Sequence, residues 1–197
     1  MDIFGSDLKM YYDTEDQTKT TLTGIFNNEV VNGFTSDENA ITISGLTSQR
    51  TIWNTHSVYT RGGTLMLFNN TTNLYSFLHK NTPSTIAFRI YPANGLTGVQ
   101  YIWNNQNNQT TQQGIQIRWQ SNTIVMLITR GTSGQTVLTV AGPPLCTPGG
   151  WHDVIIKDTG TEVTIIIDDE AGTTVTNAFA RGTGDAGFNM YLFRLAN

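Results

Sequence analysis

The chain has 197 residues, of which 38% are hydrophobic and only 13% are charged, whereas soluble domains carry roughly 25% charged residues. A formal net charge of −4 and the lack of any run of Lys and Arg exclude the basic surface that nucleic-acid binding requires. The length and the hydrophobic fraction are typical of one all-β domain over residues 1–197, with a core that needs neither a metal nor a disulfide.

Cys146 is the only cysteine, so an intramolecular disulfide is impossible and metal sites of the CxxC type are excluded. Its Pro-rich loop favours a small buried residue over a catalytic thiol. Residues 1–7 are acidic and contain no apolar segment of the signal-peptide kind. No apolar run in the sequence reaches the roughly 20 residues that span a bilayer. We therefore expect synthesis in the cytoplasm without a signal peptide, and no membrane insertion.

Short β-branched and aromatic segments separated by Gly, Asn, Pro and Ser predict strands along the whole chain. In the first half these strands cover residues 8–12, 40–44, 51–53, 57–59, 64–68, 73–78 and 85–91, with weaker strands over 24–26 and 29–31. The segments 64–68 and 73–78 are predicted to pair through a turn at 69–72. Within 85–91 the alternation places Phe88 on one face, and Arg89 and Tyr91 on the other.

In the second half, strands are predicted over residues 98–103, 114–120, 123–129, 135–141, 154–156, 163–167, 173–180 and 188–195. Turns are predicted at 121–122 and 131–134, a loop rich in Asn and Gln at 104–113, and a hairpin hinge at 157–161. Trp151 stands at the head of the hairpin, where a large ring can be buried while its N–H finds an acceptor. No amphipathic helix is predicted, so the fold class is all-β.

Several segments match family motifs in a fixed order. Residues 63–68 are Gly-Thr-Leu-Met-Leu-Phe, residues 84–92 run from Ser to Pro through a β-branched strand, and residues 150–154 are Gly-Trp-His-Asp-Val. Together with the opening strand at 8–12, the strand at 163–169 and the terminus at 193–197, they resemble the concanavalin A-like lectin/glucanase superfamily, particularly its laminin G-like members. The resemblance implies a two-sheet antiparallel jelly-roll sandwich whose first and last strands pair, so that the termini are adjacent.

The resemblance does not extend to catalysis. Glucanases of this superfamily carry a Glu-x-Asp-x-x-Glu strand that brings carboxylates to a glycosidic bond, and this sequence has none. The three histidines lie in separate segments without triad or metal-ligand spacing, and His152 is expected to pack beside Trp151. We therefore expect no enzyme activity and no cofactor. Residues 168–170 predict a solvated turn, and the alternative is a calcium site at Asp168 and Asp169.

Glycan binding is the remaining chemistry, because sugars are held by aromatic faces together with amide and guanidinium groups. Two aromatics followed by asparagines in the segment 101–108 supply such groups, and Arg118 is predicted to share a sheet face with Arg89 and Tyr91. The candidate glycan-binding residues are Arg89, Tyr91, Tyr101, Trp103, Asn104, Asn105 and Arg118. The alternative is that all four tryptophans are core or interface residues and that the asparagines only turn the chain.

Two functions are compatible with a lectin-like domain that has no export signal. The first is a non-catalytic structural or display protein on the surface of a virus particle, such as a bacteriophage capsid decoration, head fibre or tail component. Such a protein would contact other virion subunits or further copies of itself, and would meet cell-surface polysaccharide on the released particle. The alternative is a free carbohydrate-binding lectin or laminin G-like adhesion module.

Overall fold

The computed structural model describes residues 25–26, 41–44, 51–54, 57–60, 65–68, 75–106, 113–130, 136–187 and 190–192. For the five segments before residue 75, and for residue 192, it describes the backbone alone. The strands are β1 (Ile25–Phe26), β2 (Ile41–Ser44), β3 (Thr51–Asn54), β4 (Ser57–Thr60), β5 (Leu65–Phe68), β6 (Ser84–Ile90), β7 (Val99–Asn104), β8 (Gln113–Gln120), β9 (Thr123–Arg130), β10 (Thr136–Ala141), β11 (His152–Asp158), β12 (Glu162–Ile167), β13 (Glu170–Ala171), β14 (Val175–Thr176) and β15 (Tyr191–Leu192). A 3-10 helix covers Ser76–Leu78. Among the described residues there is no helix long and apolar enough to cross a membrane.

The strands form two main antiparallel sheets. The larger sheet has the order β1-β2-β5-β15-β7-β8-β9-β10, and the smaller sheet has the order β13-β12-β11-β6, with β14 also pairing with β12. Strands β3 and β4 make a separate hairpin. The predicted two-sheet antiparallel architecture is confirmed. The predicted pairing of the first and last strands involves residues 8–12, which lie outside the described residues.

The core lies between the two sheets, where the inward-facing side chains of their strands meet. Ile115 and Ile117 of β8 and Ile156 of β11 are at most 1% exposed, and they belong to one cluster that draws on both sheets. Burying each such side chain stabilises the fold by roughly 1.5–3 kcal/mol. The Trp119 indole donates a hydrogen bond of 2.7 Å to the carbonyl of Cys146, which ties the Pro-rich loop to the larger sheet.

Turn residues adopt the backbone conformations that tight hairpins require. Ser121 and Asn122 have φ of 52° and 61°, so the predicted turn between β8 and β9 is confirmed as a two-residue loop with both φ positive. In the β11–β12 turn, Gly160 has a φ of +90°, and a Cβ there would lie 2.5 Å from the Asn81 carbonyl oxygen. A glycine is therefore required at this turn for both its φ and its space. Asp158 also accepts a 2.7 Å hydrogen bond from the Gly160 N–H.

One prediction about elements is wrong, and two others differ from the structure in their bounds. The segment 73–78 is not a strand paired with β5, since its described part is a turn and the 3-10 helix Ser76–Leu78, while β5 pairs with β2 and β15. Tyr75, Ser76 and Leu78 are buried, which is a spacing that a strand cannot produce on one face. The strand predicted over 173–180 is reduced to β14, and the hinge at 157–161 is shorter because β11 continues to Asp158. The predicted elements at 8–12, 29–31, 69–72, 131–134 and 193–195 lie outside the described residues.

A buried ion pair fixes the segment that follows β14. The side chains of Arg181 and Asp158 are 0% and 2% exposed, and Arg181 Nη1 and Nη2 donate to the two Asp158 carboxylate oxygens at 2.6 and 2.8 Å. Arg181 Nη1 also donates to the Lys80 carbonyl at 3.0 Å, and its Nε donates to Asn177 Oδ1 at 3.3 Å. One guanidinium thus joins β11 to two loops, and its charge is compensated inside the protein.

Candidate functional site

The outer face of the smaller sheet gathers an aromatic pair and a charged pair at one end. Strands β6 and β11 pair so that His152 is opposite Ile90 and Asp153 is opposite Arg89. Because side chains alternate along a strand, Tyr91 and Trp151 come next to each other on the face that also carries Arg89 and Asp153. A hydrogen bond of 2.9 Å from Gly149 N to the Pro92 carbonyl continues the pairing of these segments beyond the strands.

Tyr91 and Trp151 form what we call the aromatic platform. Their ring centroids lie 5.4 Å apart with an interplanar angle of 65°, which is an edge-to-face contact. Tyr91 is 44% exposed and Trp151 is 52% exposed, so both rings remain accessible to a ligand. The expectation that Trp151 buries its ring is therefore wrong.

Arg89 and Asp153 form a two-pronged ion pair beside the platform. Arg89 Nε donates to Asp153 Oδ1 and Arg89 Nη2 donates to Asp153 Oδ2, each at 2.7 Å. This hydrogen bonding raises the pKa of Arg89 and lowers the pKa of Asp153, so both groups stay charged. The two side chains are 64% and 60% exposed, and their unused donors and acceptors face solvent.

His152 lies under the platform and connects it to the β12–β13 turn. It is buried, its Nε2 donates to the Thr147 carbonyl at 2.8 Å, and its Nδ1 lies 2.7 Å from Asp168 Oδ2. Asp168 Oδ1 accepts a further hydrogen bond of 2.9 Å from the Asp153 backbone N–H. The hydrogen bond from His152 lowers the pKa of Asp168. This network holds the backbone on both sides of Trp151 in place.

Asp168 and Asp169 form the predicted turn, with φ of 50° and 68°. The side chain of Asp168 is not simply solvated, because both of its oxygens accept hydrogen bonds from the protein. His152 is buried, as expected of a packing residue, but its side chain points away from that of Trp151, because neighbouring residues of a strand point in opposite directions. Within the part of the chain that the structure describes, no three His, Cys, Asp or Glu side chains gather in a way that could hold a metal ion.

The predicted glycan-binding residues are divided between the two sheets. Arg89 lies on β6 of the smaller sheet, whereas Arg118 lies on β8 of the larger one, so the prediction that they share a face is wrong. Tyr101 is paired with Arg118 across β7 and β8, and Asn104 is paired with Gln116. The alternation of side chains predicts which residues of one strand share a face, but it does not predict which sheet that strand joins.

Trp103, Asn104 and Asn105 have structural contacts. A bulge in β7 between Tyr101 and Trp103 shifts the register, and Trp103 packs against the core while Tyr101 stays on the outer face. Asn104 is 3% exposed and its Oδ1 accepts from the Gln106 N–H at 3.0 Å. Asn105 is fully buried, and its Oδ1 accepts from the Ile115 N–H at 2.8 Å. These two asparagines therefore support the start of the loop instead of presenting amides to solvent.

Trp151 and Asp153 are site residues that the sequence did not predict. Both are an even number of residues away from Lys157 of β11, so they lie on the same face as Lys157, which is exposed. That spacing is a signal that could have placed Trp151 outside, because an aromatic residue in register with charged residues is not in the core stripe. What the sequence cannot show is that β6 pairs with β11 and brings Tyr91 alongside.

Comparisons with known proteins concern the fold. No protein-family model matches this sequence, and no curated protein matches it. The binding domain of botulinum neurotoxin serotype D aligns with a TM-score of 0.57 and 9% identity, over 93% of this chain and 42% of that chain. The CBM40 module of the Ruminococcus gnavus IT-sialidase, solved with α2,3-sialyllactose, has a TM-score of 0.48 and 15% identity, over 61% of this chain and 68% of that one. Domains LG4-5 of the mouse laminin α1 chain have a TM-score of 0.42 and 17% identity, over 55% and 27%.

The alignment with the neurotoxin binding domain, together with the strand order of the two sheets, shows the fold. The chain is a jelly-roll β-sandwich, so the fold that the sequence resemblance implied is confirmed. The chain spans less than half of the neurotoxin binding domain that it matches. At identities this low the function has to be argued from the site itself.

Proposed function

We propose that this chain is a non-catalytic carbohydrate-binding domain of the lectin type, and that a sugar stacks on the aromatic platform. The observation that supports the proposal is the joint exposure of Tyr91 and Trp151 beside a charged pair on one sheet face. Singly exposed aromatics are ordinary, but two in contact next to polar groups form the kind of patch that marks a binding surface. An aromatic face covers the apolar side of a sugar ring, and neighbouring polar groups bind its hydroxyls.

The aromatic platform and the Arg89–Asp153 pair are close enough for one sugar to contact both. Residues two apart on a strand lie about 7 Å from each other on the same face, so the Arg89–Asp153 pair is adjacent to the platform without lying beneath it. Arg89 uses two of its five N–H donors for Asp153, and each oxygen of Asp153 keeps lone pairs for other partners. A hydroxyl that both donates and accepts can therefore bind the pair at either member.

Exposure favours the platform over the outer face of the larger sheet. There, Asn104 and Gln116 are each only 3% exposed, which leaves little of their amides for a ligand. A groove of about 320 Å³ lies where β7 begins and β8 ends, and it is lined by residues 96–99 and 119–122. Its lining includes no pair of exposed aromatic rings comparable to the platform. Glycan binding by Tyr101 and Arg118 stays a prediction.

The test is a glycan array followed by titration of the strongest ligand against Trp151→Ala. If a sugar covers on the order of 80 Å² of the ring, its loss removes about 2 kcal/mol at ~25 cal/mol per Å², which weakens binding roughly thirtyfold. Phe179→Ala is the matched control, because Phe179 is 45% exposed and its ring contacts the Arg130 guanidinium instead of belonging to the platform. An array without any bound glycan would refute the proposal, and so would equal losses in the two variants.

The virion-surface role stays a prediction. It is compatible with glycan binding, since a display protein can hold a sugar while it is attached to a particle. Mass spectrometry of particles from the source organism would test it. Absence of the chain from every particle, together with a monomer in light scattering, would leave the free lectin as the better description.

A further inference from the structure

The charges around the platform point to the class of glycan, an inference that rests on the proposed function. The described residues at this end of the sheet carry one guanidinium, that of Arg89, against four carboxylates, those of Asp153, Asp168, Asp169 and Glu170. All four carboxylate residues are exposed. Lys157 is on the same face but pairs with Thr85, two rows away from Asp153. His152 is the other basic group, and it lies beneath the face with both ring nitrogens engaged.

The guanidinium of Arg89 is already compensated. Its contact with Asp153 is two-pronged at 2.7 Å in both arms, which is the geometry of a strong, directional ion pair. A ligand carboxylate that approached Arg89 from the open side would also approach the carboxylate of Asp153. Asp168 adds a second negative charge close by, since its side chain accepts from the Asp153 backbone N–H. An anionic ligand that reaches Arg89 therefore also approaches the carboxylate of Asp153, whereas the carboxylate of Asp168 is engaged by His152 beneath the face.

The hydrogen-bonding capacity of the pair leads to the same conclusion. Arg89 offers only donors and Asp153 offers only acceptors. A sugar hydroxyl can donate to one and accept from the other, whereas a carboxylate or sulfate can only accept. We infer that the platform selects uncharged glycans and discriminates against sialylated, uronic-acid-containing and sulfated ones.

The experiment compares array glycans in pairs that differ by one acidic group, such as lactose and α2,3-sialyllactose, or an oligosaccharide with and without a sulfate. The wild-type protein should bind the uncharged member of each pair about tenfold more tightly, the size expected for a like charge held a few ångströms away near a surface. The preference should shrink as salt is raised from 20 mM to 1 M, because the Debye length falls from about 20 Å to about 3 Å.

Asp153→Asn tests the origin of the preference. It removes the carboxylate that compensates Arg89, so the ratio of acidic to uncharged binding should rise about tenfold. Glu162→Gln is the matched control, since it changes the net charge by the same amount at the far end of β12, and it should leave the ratio unchanged. Folding of each variant is checked by far-UV circular dichroism and by its unfolding midpoint in urea. The salt dependence of the wild-type protein tests the inference without any substitution.

The outcomes separate the two proposals. If acidic members bind as tightly as uncharged ones, the platform still binds glycans and the selectivity inference alone is overturned. If selectivity is present but is independent of salt and of Asp153, its electrostatic origin is overturned. If no glycan of either kind binds, the proposed function fails and this inference fails with it.

Discussion

The buried Arg181–Asp158 pair provides the sharpest test of how this fold is held together. The perturbation is Arg181→Met, which keeps a long side chain but removes the charge and all five N–H donors. Asp158 would then be left 2% exposed without a cation, although it would keep its hydrogen bond from Gly160. The Lys80 carbonyl would also lose its contact with the guanidinium.

Removing one partner of a buried ion pair costs about 3–5 kcal/mol, because the remaining charge stays in a poorly solvated position. For a chain of this length such a loss lowers the melting temperature by about 6–20 °C. The Lys80–Asp185 pair provides the comparison, since its atoms lie 3.6 Å apart and its side chains are 32% and 60% exposed. Lys80→Met should therefore cost less than about 1 kcal/mol.

Urea unfolding monitored by tryptophan fluorescence and by circular dichroism measures both variants on the same scale. Asp158→Asn in the Arg181→Met background should restore part of the loss, because the neutral amide leaves no unpaired charge and its oxygen still accepts from Gly160. If Arg181→Met costs no more than Lys80→Met, the guanidinium contributes nothing beyond a surface pair. The interpretation of residues 177–187 as a segment fixed by that group would then be wrong.

Three further predictions concern titratable groups. Burial lowers the pKa of His79, so on acidification the unfolded chain binds this proton at a higher pH than the folded chain does. The free energy of unfolding should therefore fall as the pH drops below about 6.5. In urea titrations at several pH values, His79→Gln should reduce that decrease. The hydrogen bond from His152 lowers the pKa of Asp168. The stabilisation that Asp168 gives the folded state is therefore complete above about pH 4 and is lost as the pH falls through the folded-state pKa. An Asp168→Asn variant whose acid unfolding matches the wild type would contradict this. Burial raises the pKa of the Cys146 thiol to about 12, so iodoacetamide at pH 8 should modify it in urea but not in native buffer, as mass spectrometry would show.

The sequence predicted much of the fold because strand alternation is a local property. In β6, Ile86 is buried and Arg89 is exposed as the pattern required, and the turn at Ser121 and Asn122 follows from residues that tolerate positive φ. The prediction of a strand over 73–78 is wrong because Tyr, Phe and Leu are common both in strands and in buried helical turns. Only the tertiary packing of Tyr75 decides between the two.

The site was predictable only in part, because it depends on which strands become neighbours. Arg89 and Tyr91 were correctly placed on one face, but their partners Asp153 and Trp151 come from a strand far along the chain. In β7 the bulge separates Tyr101 from Trp103, two residues that strict alternation assigns to the same face. A short apolar segment contains no residue pattern that predicts a bulge. The sequence alone therefore predicted that Tyr101 and Trp103 contribute to one binding segment.

The register of β6 against β11 is what creates the platform. A shift of one residue would turn Trp151 toward the core and bring His152 to the surface, because side chains alternate between the two faces. Two polar contacts oppose that shift: Arg89 is joined to Asp153 across the strands, and His152 is joined to Asp168 beneath them. The charged residues beside the aromatic rings therefore have two effects. They hold the strands in the one register that exposes both rings, and they determine the charge that a ligand meets there.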